Sequence, residues 1–141
     1  MTTLLASMFV FHLLWLDYVI HEESFQAPAS GWGKPTDSAT SISPVLREVT
    51  TKTITNLACV FELFQISKNN ICISGAGGKS TCNGDSGGPL HKVMDDGRMK
   101  QIGITSFGLA FGCELGLHAA FTRTTSYLEF VETNTGIMID P

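Results

Sequence analysis

From residue 29 onward the apolar positions fall in short runs separated by Gly, Pro, Ser, Asn and Asp, which predicts an all-β domain rather than a helical one. Residues 29–32 form a short strand running into the turn Gly31-Trp32-Gly33, and residues 34–43 follow as a polar loop rich in Pro, Ser and Thr. Residues 45–55 alternate through Val45, Arg47, Val49 and Thr51, the period of a half-buried strand. Further strands are predicted at 70–73, 89–94, 99–107 and 119–124, with Asp95-Asp96-Gly97 as the hairpin turn before Met99. Two stretches break the alternation. Residues 57–64 place apolar side chains at helical spacing, and residues 126–132, with Tyr127, Phe130 and Val131, read as an amphipathic C-terminal α-helix for which Ser126 is a candidate N-cap. No repeat or low-complexity segment occurs.

The first 26 residues do not fit this pattern. Residues 4–16 are apolar apart from Ser7 and His12, the length of a signal-peptide core but short for a membrane span. No basic residue precedes them, and Leu16-Asp17-Tyr18-Val19-Ile20 stands where a cleavage site of small residues belongs. Three readings compete: a poor signal peptide, a segment packed on an exposed side of the domain, or a gene-model artefact. The chain therefore divides into an atypical segment, 1–26, and one domain, 27–141.

Composition narrows the function. At 141 residues the chain has room for one modest core, and a net charge of −4 with 16% charged residues leaves no basic patch for nucleic acid. Four cysteines allow three pairings. No Cys-x-x-Cys and no histidine pair at ligand spacing supports a zinc site, so neither a metal nor another cofactor is expected.

The strongest chemical signal is the run Cys82-Asn83-Gly84-Asp85-Ser86-Gly87-Gly88-Pro89-Leu90. It sets Ser86 between glycines in a tight turn, leaves room for a substrate carbonyl, and lets the Gly84 and Ser86 N–H groups point together as an oxyanion hole. Two overlapping patterns lead elsewhere and fail. Gly78-Lys79-Ser80 ends like a phosphate-binding loop, but Ile73 stands where that motif needs its first glycine and no helix follows. Gly84-x-Ser86-x-Gly88 satisfies the nucleophile elbow of α/β-hydrolases, yet the chain continues into Pro89 and a strand instead of a helix.

The Ser86 run, together with Gly31-Trp32-Gly33, Asn70-Ile71-Cys72, Ile104-Thr105-Ser106-Phe107-Gly108 and Ala120-Phe121-Thr122-Arg123, resembles the chymotrypsin/trypsin family of serine endopeptidases. In order and spacing residues 29–137 look like the second half of such a protease, similar to the chymotrypsin-like and collagenolytic digestive enzymes of arthropods. The resemblance implies a single antiparallel β-barrel, the C-terminal half of a two-barrel fold, with 57–64 as its intermediate helix. It also implies disulfides Cys59–Cys72 and Cys82–Cys113, hence an oxidising, secreted, extracellular setting. Ser86 becomes the nucleophile, Gly84 and Ser86 the oxyanion donors, and Ser80 the floor of the substrate pocket between Gly108 and Ala119. A neutral serine there implies large apolar or aromatic substrate side chains, where a trypsin-like floor carries aspartate.

A serine hydroxyl needs a base and a carboxylate to orient that base. The family's Ala-Ala-His-Cys and Asp-Ile-Ala-Leu segments do not occur here, and His12, His21, His91 and His118 match no family position. His21 with Asp17 is a weak substitute. The family's carboxylate at Asp85 pairs with an ammonium group created by activation, so without one Asp85 is expected to turn to solvent or take another donor, leaving a zymogen-like oxyanion turn. The expectation is a serine endopeptidase by family, acting on protein or peptide substrates, represented by a truncated product or incomplete gene model and inactive as a lone chain; a split enzyme completed by a missing first-barrel chain is a further reading. A secreted non-catalytic homologue that binds peptides or proteins is the alternative.

Overall fold

The computed structural model describes residues 24–109 and 111–139; residues 1–23, and with them the apolar stretch 4–16, His12, Asp17 and His21, lie outside the described residues. Six strands follow one another: β1 (Gln26–Gly31), β2 (Arg47–Ile54), β3 (Asn70–Ile73), β4 (Pro89–Val93), β5 (Met99–Gly108) and β6 (Ala119–Arg123). They pair antiparallel in the order β1-β2-β3-β6-β5-β4 and close into a barrel where Ala29 of β1 meets Leu90 of β4. Helix α1 (Asn56–Leu63) joins β2 to β3, and a 3-10 turn (Thr124–Tyr127) leads from β6 into helix α2 (Leu128–Thr135).

Every second residue of β1, β3 and β6 fills this barrel, whereas of the alternating positions read at 45–51 only Thr51 is buried and Val49 partly so, Val45 and Arg47 being exposed. Ala27, Ala29, Ile71, Ile73, Leu90, Ala119 and Phe121 form the buried interior, with Phe121, Ile73 and Leu90 fully enclosed. A second cluster, Cys59, Leu63, Cys72 and Ala120, lies under α1. The chain forms Cys59–Cys72 with a Cα separation of 6.3 Å, which ties α1 to β3, and Cys82–Cys113 with 5.3 Å, which joins the Ser86 segment to the loop before β6. Helix α1 begins where Thr55 Oγ1 accepts from the Ala58 amide at 3.1 Å, satisfying one of the helix's unpaired donors.

Element ends differ from the sequence reading for local reasons. Ser24 Oγ donates to Thr53 O and the Phe25 amide to Thr53 Oγ1, so pairing with β2 begins ahead of residue 29. Strand β2 starts at Arg47, not Val45, because Ser43 Oγ donates to Val45 O at 2.7 Å and holds the chain in a bend. Ser126 is not an N-cap. It lies inside the 3-10 turn, Tyr127 takes the cap position without a side-chain bond, and the α-helix runs on to Thr135 instead of ending at 132. Thr124 Oγ1 donates to Gln101 O at 3.0 Å, anchoring this turn to β5 and delaying the helix proper. At the β4–β5 hairpin Met94 donates to Arg98 O, and the Arg98 amide and guanidinium hold the Asp96 carboxyl below its ordinary range.

The amphipathic face of the C-terminal helix has nothing to cover it among the described residues. Helix α2 buries no residue, and Tyr127, Phe130 and Val131 are all exposed. No helix among the described residues is long and apolar enough to cross a membrane.

Candidate active site

The Ser86 turn is suspended between β-barrel and loops by backbone bonds. Gly87 donates to Thr105 O at 2.9 Å and Thr105 returns a bond to Gly88 O at 2.8 Å, which docks the turn on β5. Asp85 donates to Cys82 O at 3.0 Å and Gly88 to Asp85 O at 2.9 Å, so the chain folds back tightly on either side of Asp85. Gly84 has φ +100°, a conformation that L side chains rarely adopt, and a Cβ there would stand 2.8 Å from Ile42 Cγ2. The glycine is needed for both reasons.

Two amides in this turn, those of Gly84 and Ser86, donate to no protein acceptor among the described residues. Ser86 is exposed and its hydroxyl makes no hydrogen bond among the described residues. Two unspent backbone donors beside a serine hydroxyl form an arrangement that can stabilise negative charge developing on a carbonyl oxygen which that hydroxyl attacks. Asp85 points elsewhere. Its Oδ1 accepts from the Gly33 amide at 2.7 Å and its Oδ2 from the Cys82 amide at 2.8 Å, so the half-buried carboxylate is held by two backbone donors.

A pocket of about 260 Å³ opens beside Ser86, and Ser80, Gly108 and Ala119 share its lining with Ser86 and the Cys82–Cys113 region. Gly108 of β5 is the cross-strand partner of Ala119 of β6, which puts these two positions side by side on one wall. His118, also at the pocket, leans onto α1: its Nε2 is 3.4 Å from Glu62 Oε1 and its amide donates to Glu62 Oε2 at 3.0 Å. His91 stands on β4 opposite Gln101. Neither histidine is bonded to Ser86. Asp37 gathers near Cys82 and Cys113, but both sulfurs are committed to their disulfide and offer no thiolate to a metal.

The sequence reading missed Asp37 and Glu114. Their loops meet across the pocket rim although the residues are 77 positions apart, and polar residues in surface loops carry no periodic signal that could have paired them.

The Trypsin family model matches residues 20–131. This chain belongs to the trypsin family. Among trypsin-family relatives it is 49% identical over 108 residues to Brachyurin of Leptuca pugilator, covering 77% of this chain and 46% of that protein. It is 45% identical over 111 residues to Serine protease 1 of Drosophila melanogaster, covering 79% of this chain and 40% of that protein. A solved structure of HL collagenase superposes with a TM-score of 0.69 at 36% identity, covering 82% of this chain and 48% of that one. The chain thus spans less than half the length of these trypsin-family proteins, and its barrel with the C-terminal helix matches one half of the trypsin-like fold.

Proposed function

We propose that this chain is the second barrel of a chymotrypsin-like serine endopeptidase, with Ser86 as nucleophile, the Gly84 and Ser86 amides as oxyanion donors, and Ser80, Gly108 and Ala119 shaping a neutral pocket. The observation that carries the reading is the exposed Ser86 beside two unpartnered amides at the mouth of that pocket. Ser86 Oγ would attack the carbonyl carbon of a peptide bond while a base accepts its proton. The oxyanion would rest on the two amides, the amine would leave with the proton from the base, and water would then hydrolyse the acyl-serine.

Neither described histidine is bonded to Ser86, so the base and its orienting carboxylate are assigned to a first barrel, carried on a further part of the polypeptide or on a separate chain. The same barrel would supply the ammonium partner of Asp85. The exposed Tyr127, Phe130 and Val131 on the C-terminal turn and helix support such a neighbour, because an apolar face of this kind is ordinarily covered. Two disulfides support a secreted protein that meets protein or peptide substrates outside the cell.

The oxidised chain alone is expected to hydrolyse an aromatic-amide peptide no faster than its Ser86→Ala variant. Mixed with the first barrel of a trypsin-family relative, the wild-type chain and not the variant is expected to gain activity. A Ser86-dependent rate from the lone chain would overturn the inactivity, and activity that survives Ser86→Ala in the mixture would overturn the nucleophile.

A further inference from the structure

Three connections between the strands meet near the candidate site: residues 32–46, 74–88, and 109 with 111–118. Asp37 connects the first to the third. Its Oδ1 accepts from the Cys113 amide at 2.6 Å and its Oδ2 from the Glu114 amide at 3.2 Å, while its own amide donates to Glu114 Oε2 at 2.7 Å. Each carboxylate thus closes on the backbone of the other's loop. Gly112 adapts to this contact: it has φ +144°, and a Cβ at that position would stand 2.6 Å from Asp37 Oδ2.

The other links complete a circuit. Four residues before Asp37, the Gly33 amide donates to Asp85 Oδ1 at 2.7 Å, and the Lys34 amide donates to Asn83 O at 2.9 Å. On the opposite side Cys113 is disulfide-bonded to Cys82, whose amide donates to Asp85 Oδ2 at 2.8 Å. Asp85, Gly33, Asp37, Cys113 and Cys82 therefore form a closed circuit of bonds and short chain segments that leaves the nucleophile turn at Asp85 and returns to it.

We infer that Asp37 is a positioning residue that locks the pocket wall at Gly112 and Cys113 to the Asp85 turn, so that filling the pocket and ordering the oxyanion amides are coupled. The inference rests on the reading of Ser86 and its pocket given above. Gly112 and Cys113 line the pocket, as do Asn83 and Ser86, whereas Asp37 does not and acts only through them. In a closed ring a shift at Cys113 reaches Asp85 by two routes, through Gly33 and through Cys82. Opening the ring at Asp37 leaves only the disulfide route. By linkage the coupling runs both ways: an occupied pocket steadies the turn, and a steadied turn favours occupancy.

Amide hydrogen exchange on the full chain tests this, with indole as the pocket probe. In the ligand-free chain Asp37→Ala is expected to speed exchange at Cys113 and Glu114 by at least about tenfold, because each amide loses a carboxylate acceptor. Exchange at the Cys82 amide is expected to rise with them, while core amides such as Phe121 stay unchanged. Indole is expected to slow exchange across residues 82–86 in the wild type and not in Asp37→Ala, with its affinity reduced about tenfold as the competent form becomes a minority. Asp37→Asn, which keeps one acceptor oxygen, is expected to recover part of both effects, and Glu114→Ala to show a smaller shift in the same direction. Unchanged exchange at residues 82–86 and 112–114 in Asp37→Ala overturns the inference, and so does a rise matched by Phe121, which would mark general loosening. Failure of the wild type to bind indole overturns the proposed pocket and with it the coupling, while the ligand-free comparison still decides whether Asp37 ties Cys113 to the Asp85 turn.

Discussion

Ser80 and Asp85 lie five positions apart and meet the solvent in different ways: Ser80 lines the pocket, while Asp85 gives both carboxylate oxygens to backbone amides. If Ser80 is the neutral floor proposed above, it offers a charged substrate side chain no partner, and replacing it with a carboxylate should reverse the preference. With a first barrel supplied, Ser80→Asp is expected to shift the ratio of kcat/KM from aromatic toward Lys and Arg substrates, and an unchanged ratio would remove Ser80 from the pocket floor. The Ser86 turn was legible because its requirements are local, a glycine on either side and a half-cystine four residues before. Asp37 and Glu114 were not, because their partnership exists only once β1, β5 and β6 bring two distant loops together.

At the level of elements, short apolar runs between turn residues located all six strands, with alternation evident at 45–55; β3 and β6 are buried on both faces because Cys72 and Ala120 pack under α1 while Ile71, Ile73, Ala119 and Phe121 face the interior. Their ends escaped it. The bend at Ser43, the 3-10 turn at Thr124 and the missing cap at Ser126 follow from single side-chain bonds that hydrophobic patterning does not encode. The disulfide pairing came from family resemblance and not from spacing, which left three choices open. Helix α1 rests on a small cluster and is stapled to β3 by Cys59–Cys72 across 13 positions. Replacing both cysteines with alanine is expected to lower stability by about 3 kcal/mol, read as a fall in the denaturation midpoint at unchanged slope. The figure follows from loop closure in the unfolded chain, so substrate-site variants should leave it untouched.

At the scale of the whole molecule, the described barrel and C-terminal helix match one half of the trypsin-like fold, with a sealed interior and an apolar face that no described residue covers. Phe121, Ile73 and Leu90 are sealed, while Tyr127, Phe130 and Val131 stand exposed on a helix that buries nothing. Phe130→Glu is expected to leave the thermal midpoint of the lone chain nearly unchanged, as an exposed substitution does. In titrations with a first barrel the same change is expected to weaken association, and equal affinity would place the partner on another face. Closure of the barrel at Ala29 and Leu90 adds a constraint on how any such partner joins. Closure at that pair takes away the strand edge there among the described residues, so extension of the sheet by a newcomer and accidental edge-to-edge stacking are both opposed at that point. A partner is then expected to be recognised through side chains and loops more than by lengthening the sheet, and copies of the barrel have little opening to template fibres of one another.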